Sequence, residues 1–258
     1  MSLSKWIVRA AAPLPDLEAY ERFLFLGPHP DDIEIGAGAT AAKLVAAGKK
    51  IRFFICTDGR YGFDHAPAEI HTPEEMAAVR KEEAIRSAEV LGITDVCFGR
   101  LWDGAFYRKK ELFQVLLKAI SDFQPDVVFC PDPSVTSECH SDHLNVGEMA
   151  KRAVCFAPNE KIMQKYGLNA APVKAIAFYM TAKPNRYIGT HGYLPKQLEA
   201  IFECHKSQFP QGSQAAKSLA LYLKIRAYDY GLKTLKKTAE GFRVLGQTQM
   251  HCLPEAGD

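Results

Sequence analysis

Short apolar runs alternate with helical patterns along the first half of the chain. The runs lie at residues 23–26, 50–57, 95–99 and 127–130, and each ends at glycine, proline or a polar residue. Mostly apolar runs of this length are typical of strands buried in a parallel sheet. Between them, Thr72 followed by proline marks a helix start, and Gly48 and Gly92 mark helix ends.

This alternation predicts the α/β class, as a Rossmann-like open, mostly parallel sheet with helices on both faces. Downstream, the pattern predicts helices at 143–156, 195–209 and 213–235 and a strand at 173–180. We expect residues 1–22 to form an N-terminal arm. Because no Pro/Gly/Ser-rich linker interrupts the rest, we expect residues 1–258 to form a single domain.

Composition excludes several classes of protein. A formal net charge of +2 gives no electrostatic case for nucleic acid or a membrane surface, and no apolar run approaches the ~20 residues that span a bilayer. The seven cysteines are scattered, without a Cys-x-x-Cys pair, and the N-terminus lacks the apolar core of a secretion signal. We therefore expect a cytoplasmic protein.

A histidine and two carboxylates directly follow the first predicted strand. His29, Asp31 and Asp32 lie where the apolar run ends and a helical pattern begins. In an open α/β sheet, ligands bind at this edge, beyond the carboxyl ends of the strands. The spacing of His29 and Asp32 allows them to hold one metal ion, which leaves Asp31 free as a base. Helix capping would explain one carboxylate but not two.

A second group of candidate ligands, residues 139–143 (CHSDH), follows the strand predicted at 127–130. Since both groups share the order strand, loop, helix, we expect them to face each other at one edge of the sheet. Two histidines and one aspartate leave a position for water, as in catalytic zinc sites. His140 and His143 are both suitably spaced, so spacing alone leaves the choice of ligand open.

The sequence motifs of two other enzyme classes do not fit this chain. Gly36 and Gly38 are a faint version of a dinucleotide fingerprint, but the acidic pair before them would repel a pyrophosphate. The chain also lacks the Gly-x-Ser-x-Gly sequence of serine hydrolases.

Taken together, residues 29–34 (HPDDIE) and 140–143 (HSDH) closely resemble the two signature motifs of the LmbE-like (PIG-L) zinc-dependent N-acetylglucosamine deacetylases. Further similar segments are 80–83 (RKEE), which resembles the family's Arg-x-x-Glu helix, and the C-terminal segments 206–209 (KSQF) and 239–242 (AEGF). The resemblance covers roughly residues 23 to 245. It departs from the family pattern at Ala39 and over 60–69, which leaves the substrate open.

The resemblance implies a specific role for each residue of the site. It implies three metal ligands: His29, Asp32 and His143. It also implies that Asp31 is the general base and later the general acid. His140 would stabilise the oxyanion, and Asp142 would orient His140 and raise its pKa so that it is cationic.

Three residues are candidate substrate contacts. Arg80 matches a substrate-binding position of the family, although a salt bridge to Glu83 explains it equally well. Asp103 lies in a Trp-Asp-Gly turn, for which a turn role is favoured over sugar binding. Of the remaining histidines, His191 is best placed to reach a substrate.

The resemblance implies hydrolysis of the N-acetyl group of an amino sugar or glucosaminide. The cofactor would be Zn²⁺, or another divalent metal such as Fe²⁺. The partner would be a small N-acetylated sugar or conjugate, and we expect a homo-oligomer. The alternative is a non-catalytic metal- or sugar-binding protein of the same fold, which would keep His29, Asp32 and His143 but would not need Asp31.

Overall fold

The computed structural model describes residue 7 and residues 10–251 of the chain. The strands are β1 (Arg22–Gly27), β2 (Lys50–Thr57), β3 (Val96–Leu101), β4 (Val127–Pro131), β5 (Ala175–Tyr179), β6 (Arg186–Gly189) and β7 (Ala239–Gly246). The α-helices are α1 (Asp32–Ala46), α2 (Pro73–Leu91), α3 (Lys109–Phe123), α4 (Ser141–Phe156), α5 (Glu160–Lys165), α6 (Leu194–Glu199), α7 (Gln214–Lys233) and α8 (Gln247–His251). A 3₁₀ turn (Leu17–Ala19) precedes β1, and a π-helical turn (Ala200–Cys204) continues α6.

One seven-stranded sheet has the order β3-β2-β1-β4-β5-β7-β6. The first five strands pair in parallel, whereas β7 runs antiparallel to both β5 and β6. The predicted Rossmann-like, mostly parallel sheet is therefore confirmed. The single-domain organisation stays a prediction. Among the residues that the structure describes, no helix is both long and apolar enough to cross a bilayer.

The alternation of side chains along β1 divides the core into two layers. Phe23 and Phe25 point to the face covered by α1 and α2, whereas Leu24 and Leu26 point to the face covered by α3 and α4. Phe25 stacks on Phe129 of β4 with ring centroids 4.4 Å apart. Both layers exclude water, which explains why β4 and the part of β1 after Arg22 carry no polar side chain.

The chain order creates a crevice between β1 and β4. From β1 the chain adds β2 and β3 on one side, then crosses to β4 and β5 on the other. Connections leave the carboxyl ends of β1 and β4 in opposite directions at such a switch point, and ligands bind there. Both predicted ligand groups follow these two strands.

Several predicted boundaries hold, but one helix is shorter than expected. Thr72 forms a capping box with Glu75 before α2, and Gly92 ends that helix at φ 88°. The helix expected over 195–209 ends at Cys204. Its continuation leaves the helical path because Ser207 donates hydrogen bonds to Glu83 from its backbone nitrogen (2.8 Å) and hydroxyl (2.6 Å).

The described part of the predicted N-terminal arm packs against the body. Leu17 is buried, and Arg186 of β6 donates a hydrogen bond to the carbonyl of Pro15 (3.2 Å). Gln249 donates to the carbonyl of Ala12 (2.8 Å). Residues 12–17 are therefore held at the β6–β7 side of the sheet.

Candidate metal centre and active site

The turn after β1 places His29 against Asp32. The Asp32 Oδ2 atom accepts a hydrogen bond from the backbone nitrogen of His29 (2.8 Å) and lies 3.0 Å from His29 Nδ1. Thr57, at the end of β2, donates from its hydroxyl to the carbonyl of Pro28 (2.7 Å). The neighbouring strand therefore fixes the turn from which His29 projects.

The segment after β4 brings His143 to the same carboxylate. His143 lies in the first turn of α4, and its Nε2 atom is 3.3 Å from Asp32 Oδ1. Its other ring nitrogen, Nδ1, is 2.9 Å from Glu138 Oε2. The expectation that the two motifs face each other across one edge of the sheet is confirmed.

Asp142 is fully buried and is held by the loop after β3, a contact that no pattern in the sequence indicates. Its carboxylate accepts hydrogen bonds from the backbone nitrogens of Gly104 (2.7 Å) and Ala105 (2.9 Å) and from the Tyr107 hydroxyl (2.8 Å). It also lies 3.1 Å from His29 Nε2. Asp142 thus ties His29 to the loop after β3.

The described residues contain two groups whose donor atoms lie within 4.8 Å of one another: His29, Asp32 and His143; and His29, His140 and Asp142. In the second group the Asp142 carboxylate already accepts the three hydrogen bonds from the loop after β3. In the first group, His29 and His143 each direct one ring nitrogen toward Asp32 and the other toward a carboxylate, of Asp142 and Glu138 respectively. Metal-ligating histidines almost always have such an outer partner, which is a carboxylate, a backbone carbonyl or a water.

The charges of the first group also favour a cation. Burial lowers the pKa of His29, but its hydrogen bonds to Asp142 and Asp32 outweigh burial and raise the pKa to about 10. Burial likewise lowers the pKa of His143, and the Asp32 charge outweighs it and raises the pKa to about 9. Burial raises the pKa of Asp32, yet the two histidines hold it well below its usual range. The carboxylates therefore attract positive charge here, and a metal ion competes with those ring protons.

His140 lies beside this group in a different electrostatic state. Its ring centroid is 4.6 Å from that of His29, and its side chain is 49% exposed. Burial and the charges of His29 and His143 lower the pKa of His140. This lowered pKa runs against the expectation that Asp142 makes His140 cationic, because the Asp142 carboxylate lies closer to His29 and its effect on His140 is outweighed. Instead, the backbone nitrogen of Asp142 donates to His140 Nδ1 (3.3 Å).

Asp31 is buried next to the metal group and pairs with Arg80 of α2. Its Oδ2 atom lies 3.2 Å from Arg80 Nη2. Burial raises the pKa of Asp31, and the Arg80 charge offsets only part of this rise. The suggested salt bridge between Arg80 and Glu83 does not occur, because Glu83 binds Ser207 instead. Arg80 is therefore oriented toward the site.

Glycines after β2 make room for the Arg80 guanidinium. A Cβ atom at Gly62 would lie 2.5 Å from Arg80 Nη1, and one at Gly59 would lie 2.7 Å from it. Gln208 donates a hydrogen bond to the carbonyl of Gly62 (2.9 Å). Residues 60–69, which match no family landmark, thus include a wall of the Arg80 pocket. The sequence carries no local signal for this contact, because its partners are distant along the chain.

The remaining two candidates lie in different surroundings. Asp103 is buried and accepts a hydrogen bond from the backbone nitrogen of Tyr61 (3.1 Å), a residue of the loop after β2, so its role in the turn or in sugar binding stays a prediction. His191 is exposed and follows β6, whose carboxyl end lies at the same edge of the sheet as the metal group. Three strand spacings separate β6 from β4, or roughly 14 Å at about 4.8 Å per strand. The structure does not bring His191 into either metal-ligand group.

Comparison with known proteins assigns the family. A family model described as PIG-L, GlcNAc-PI de-N-acetylase, matches residues 24–154. The chain is 32% identical over 257 residues to the diacetylchitobiose deacetylase of Thermococcus kodakarensis, covering 98% of this chain and 93% of the relative. It is 27% identical to a 1D-myo-inositol 2-acetamido-2-deoxy-alpha-D-glucopyranoside deacetylase of Kineococcus radiotolerans, covering 68% of this chain and 55% of that relative.

The fold agrees with this assignment. The N,N'-diacetylchitobiose deacetylase of Pyrococcus horikoshii, solved with an inhibitor, matches with a TM-score of 0.86 and 29% identity. The match covers 98% of this chain and 96% of that structure. The two predicted motifs lie at the switch point of this shared fold, so sequence, fold and site agree. The chain therefore belongs to the PIG-L family of de-N-acetylases and is an N-deacetylase.

Proposed function

We propose that this protein hydrolyses the N-acetyl group of a glucosamine unit in a small saccharide, with Zn²⁺ as its metal. The observation that carries the proposal is the convergence of His29, Asp32 and His143 beside a buried carboxylate, Asp31, that is outside the ligand group. Similarity over nearly the whole chain to two diacetylchitobiose deacetylases supports a disaccharide substrate.

His29, Asp32 and His143 would hold the metal. When bound in such a site, zinc lowers the pKa of a coordinated water toward neutrality. Asp142 and Glu138 orient the ligand histidines through their outer ring nitrogens. This support fixes which nitrogen of each ring faces Asp32.

Asp31 is the proposed general base and acid. It takes a proton from the attacking water and returns it to the nitrogen of the leaving amine. A carboxylate whose pKa is raised by burial accepts a proton more readily near neutral pH than an exposed one. The Arg80 guanidinium keeps Asp31 oriented and is the proposed contact for a substrate hydroxyl.

His140 is the proposed oxyanion donor, and it acts as a neutral imidazole. Its Nδ1 atom accepts a hydrogen bond from the backbone nitrogen of Asp142, which leaves the ring proton of the neutral form on Nε2. That N–H can donate to the carbonyl oxygen as negative charge develops on it. Asp142 acts indirectly, through its backbone on His140 and its carboxylate on His29.

The remaining contacts and surroundings complete the proposal. Asp103 would support the substrate side of the site through the loop that holds Tyr61, and His191 would contact a distal part of the substrate. We place the enzyme in the cytoplasm, since all six cysteines that the structure describes are free thiols. We propose that its partner is a small N-acetylated sugar and that it acts as a homo-oligomer.

Acetate release from a substrate panel tests the proposal. The zinc-loaded protein would be incubated with N-acetylglucosamine, N,N'-diacetylchitobiose and an inositol N-acetylglucosaminide, with chelator-treated protein as the control. We expect the highest kcat/KM on the disaccharide and loss of activity after chelation. Tight binding of one sugar without acetate release from any would contradict the proposal and favour a non-catalytic binding protein.

A further inference from the structure

Two exposed aromatic side chains lie beside the metal group and take no part in the proposed chemistry. Tyr61, in the loop after β2, is 44% exposed, and Phe106, in the loop after β3, is 68% exposed. Their ring centroids are 5.4 Å apart, at an interplanar angle of 62°. We call Tyr61 and Phe106 the aromatic pair. Phenylalanine is usually buried, and grouped apolar side chains that stay exposed indicate a binding surface.

The loop that carries Phe106 is bonded to the metal group. One oxygen of Asp142, Oδ2, accepts a hydrogen bond from the backbone nitrogen of Gly104 (2.7 Å) and lies 3.1 Å from His29 Nε2. Phe106 follows Gly104 by two residues, which is at most about 7 Å of extended chain. Phe106 is therefore a near neighbour of the residues that would hold the metal.

The loop that carries Tyr61 borders another side of the site. It packs on the Arg80 guanidinium, since a Cβ atom at Gly62 would lie 2.5 Å from Arg80 Nη1, and Arg80 in turn pairs with Asp31. The backbone nitrogen of Tyr61 donates a hydrogen bond to Asp103 (3.1 Å), in the loop after β3. The aromatic pair therefore spans two joined loops, of which one contacts the partner of the proposed base and the other supports the metal group.

The backbone of the loop after β3 fixes the position of Phe106. Gly104 and Ala105 have φ values of 75° and 61°, in the left-handed region, which alanine rarely adopts. The Asp142 carboxylate holds this conformation by accepting hydrogen bonds from both backbone nitrogens. A Cβ atom at Gly104 would lie 3.1 Å from Phe106 Cε2, so the ring packs back against its own loop. The carboxylate that supports His29 thus also sets the place of the Phe106 ring.

Aromatic faces beside a polar site fit the pyranose ring of a sugar. The faces of a glucosamine ring carry C–H groups, whose weak positive charge favours the electron-rich face of an aromatic ring. The hydroxyls at the edge of the sugar need polar partners, and the Tyr61 phenol can donate or accept such a hydrogen bond. Two rings present too little surface for a stable protein contact, which requires about 800 Å² from each partner.

We propose that the aromatic pair binds the second sugar unit of an N-acetylated disaccharide or longer saccharide whose first unit lies at the metal. This inference rests on the proposed function and identifies the residues that select a chain of sugars over a single one. Because a monosaccharide at the metal does not reach the pair, stacking should raise kcat/KM for the disaccharide alone.

Kinetics on two substrates test this inference in the zinc-loaded protein. The ratio of kcat/KM for N,N'-diacetylchitobiose to that for N-acetylglucosamine would be measured in the wild type, Phe106→Ala, Phe106→Leu and Tyr61→Ala. We expect each variant to lower this ratio about 3–10-fold, mostly through KM for the disaccharide, because an aromatic face is lost. Leucine keeps an apolar side chain without that face, whereas Phe106→Tyr keeps the face and should keep the wild-type ratio.

The matched control is Phe156→Ala, at the end of α4. Phe156 is another exposed phenylalanine (41%) with an edge contact to a second ring, and its removal should leave the ratio unchanged. Metal content equal to the wild type would establish that the loop after β3 still supports the metal group. If Phe106→Ala loses metal, Tyr61→Ala decides, since the hydrogen bond from Tyr61 to Asp103 does not involve its side chain.

An unchanged ratio in Phe106→Leu and Tyr61→Ala would overturn the inference and leave the proposed function intact. A ratio that falls in His191→Ala instead would overturn it too, because the second unit would then extend toward β6.

Failure of the proposed function itself gives a different result, namely no acetate from either sugar. Isothermal calorimetry with N,N'-diacetylchitobiose then tests the aromatic pair without turnover. We expect the Kd of Phe106→Leu to be about 3–10-fold higher than that of the wild type and of Phe156→Ala. Equal affinity in all three proteins, or no binding by the wild type, would overturn the inference.

Discussion

His140 and His143 lie three residues apart on the same edge of the sheet, yet their ring nitrogens face different partners. His143 directs Nε2 toward Asp32 and Nδ1 toward Glu138, whereas His140 accepts a backbone hydrogen bond and is half exposed. Residue identity alone leaves both histidines open as metal ligands. The direction of each ring supports the proposal that His143 is a ligand and His140 a hydrogen-bond donor.

Metal content should therefore separate the two histidines. We expect His143→Ala to lose most of its bound metal, because one of three protein ligands and its support from Glu138 are lost. His140→Ala should keep nearly all its metal and lose activity by about 10²–10³-fold, as for removal of one oxyanion donor. Elemental analysis of both variants, with kcat measured in parallel, checks this. Loss of metal from His140→Ala alone would favour the group of His29, His140 and Asp142.

Gly62 provides a test of the Arg80 position at a residue that does not touch the metal group. A methyl group at this position would meet Arg80 Nη1 at 2.5 Å, so Gly62→Ala should displace the guanidinium from Asp31. We expect an unchanged metal content, with KM raised and kcat lowered. Gly167→Ala is the control for a loss of stability without an effect on the site. Its added methyl group has no atom within 4 Å, but the residue lies at φ 70°, a backbone angle that strains alanine. Wild-type kinetics in Gly62→Ala would contradict the role given to Arg80.

At the scale of elements, a buried ion pair joins the parallel and antiparallel parts of the sheet. Asp132, after β4, accepts hydrogen bonds from Arg243 Nε of β7 (2.9 Å) and from the Thr181 hydroxyl after β5 (2.6 Å). Burial raises the pKa of Asp132, but these partners and Ser134 outweigh it and hold the pKa below its usual range. The pair therefore connects three strands at the edge of the sheet that carries the site.

Removing one partner of this pair should destabilise the fold. We expect Asp132→Asn to lower the free energy of unfolding by about 3–5 kcal/mol, because it leaves the Arg243 charge buried without its carboxylate. Since the folded-state pKa of Asp132 is lowered, its contribution is complete above the unfolded pKa of about 3.9 and is lost as pH falls through the folded value. Urea unfolding of both proteins at several pH values checks this. The difference between them should shrink below about pH 4, and a constant difference would contradict the assignment.

The last strand of the sheet, β7, shows why the hydropathy pattern does not predict every strand. The central strands are apolar at nearly every position, so their pattern is plain. β7 is also fully buried but contains Glu240 and Arg243, which makes it look like a surface segment. Both charges have distant partners: Glu240 accepts hydrogen bonds from the Thr40 backbone nitrogen (2.7 Å) and from Gln197 (2.8 Å). Strand assignment from hydropathy fails where long-range partners satisfy buried charges.

For the whole molecule, the sequence indicates those candidate site residues that directly follow a buried strand. His29, Asp32 and His143 each follow a buried strand, and the parallel sheet brings their strand ends together. The supports of the site come from elsewhere in the chain. Glu138 and Tyr107 are polar residues of loops with no distinguishing pattern, and only the folded chain brings them to His143 and Asp142. The lowered pKa of His140 likewise depends on burial and on the charges of His29 and His143, which only the folded chain brings beside it.

In the proposed mechanism, Asp31 is a base outside the metal group that takes a proton from the attacking water. Acetate release by zinc-loaded Asp31→Asn, measured against the wild type at equal metal content, tests this role. The substitution keeps the size of the side chain and removes the base. We expect full metal occupancy with kcat lowered by about 10²–10⁴-fold. Turnover at the wild-type rate with metal bound would exclude this role, because Asp31 would then have no part in moving the proton.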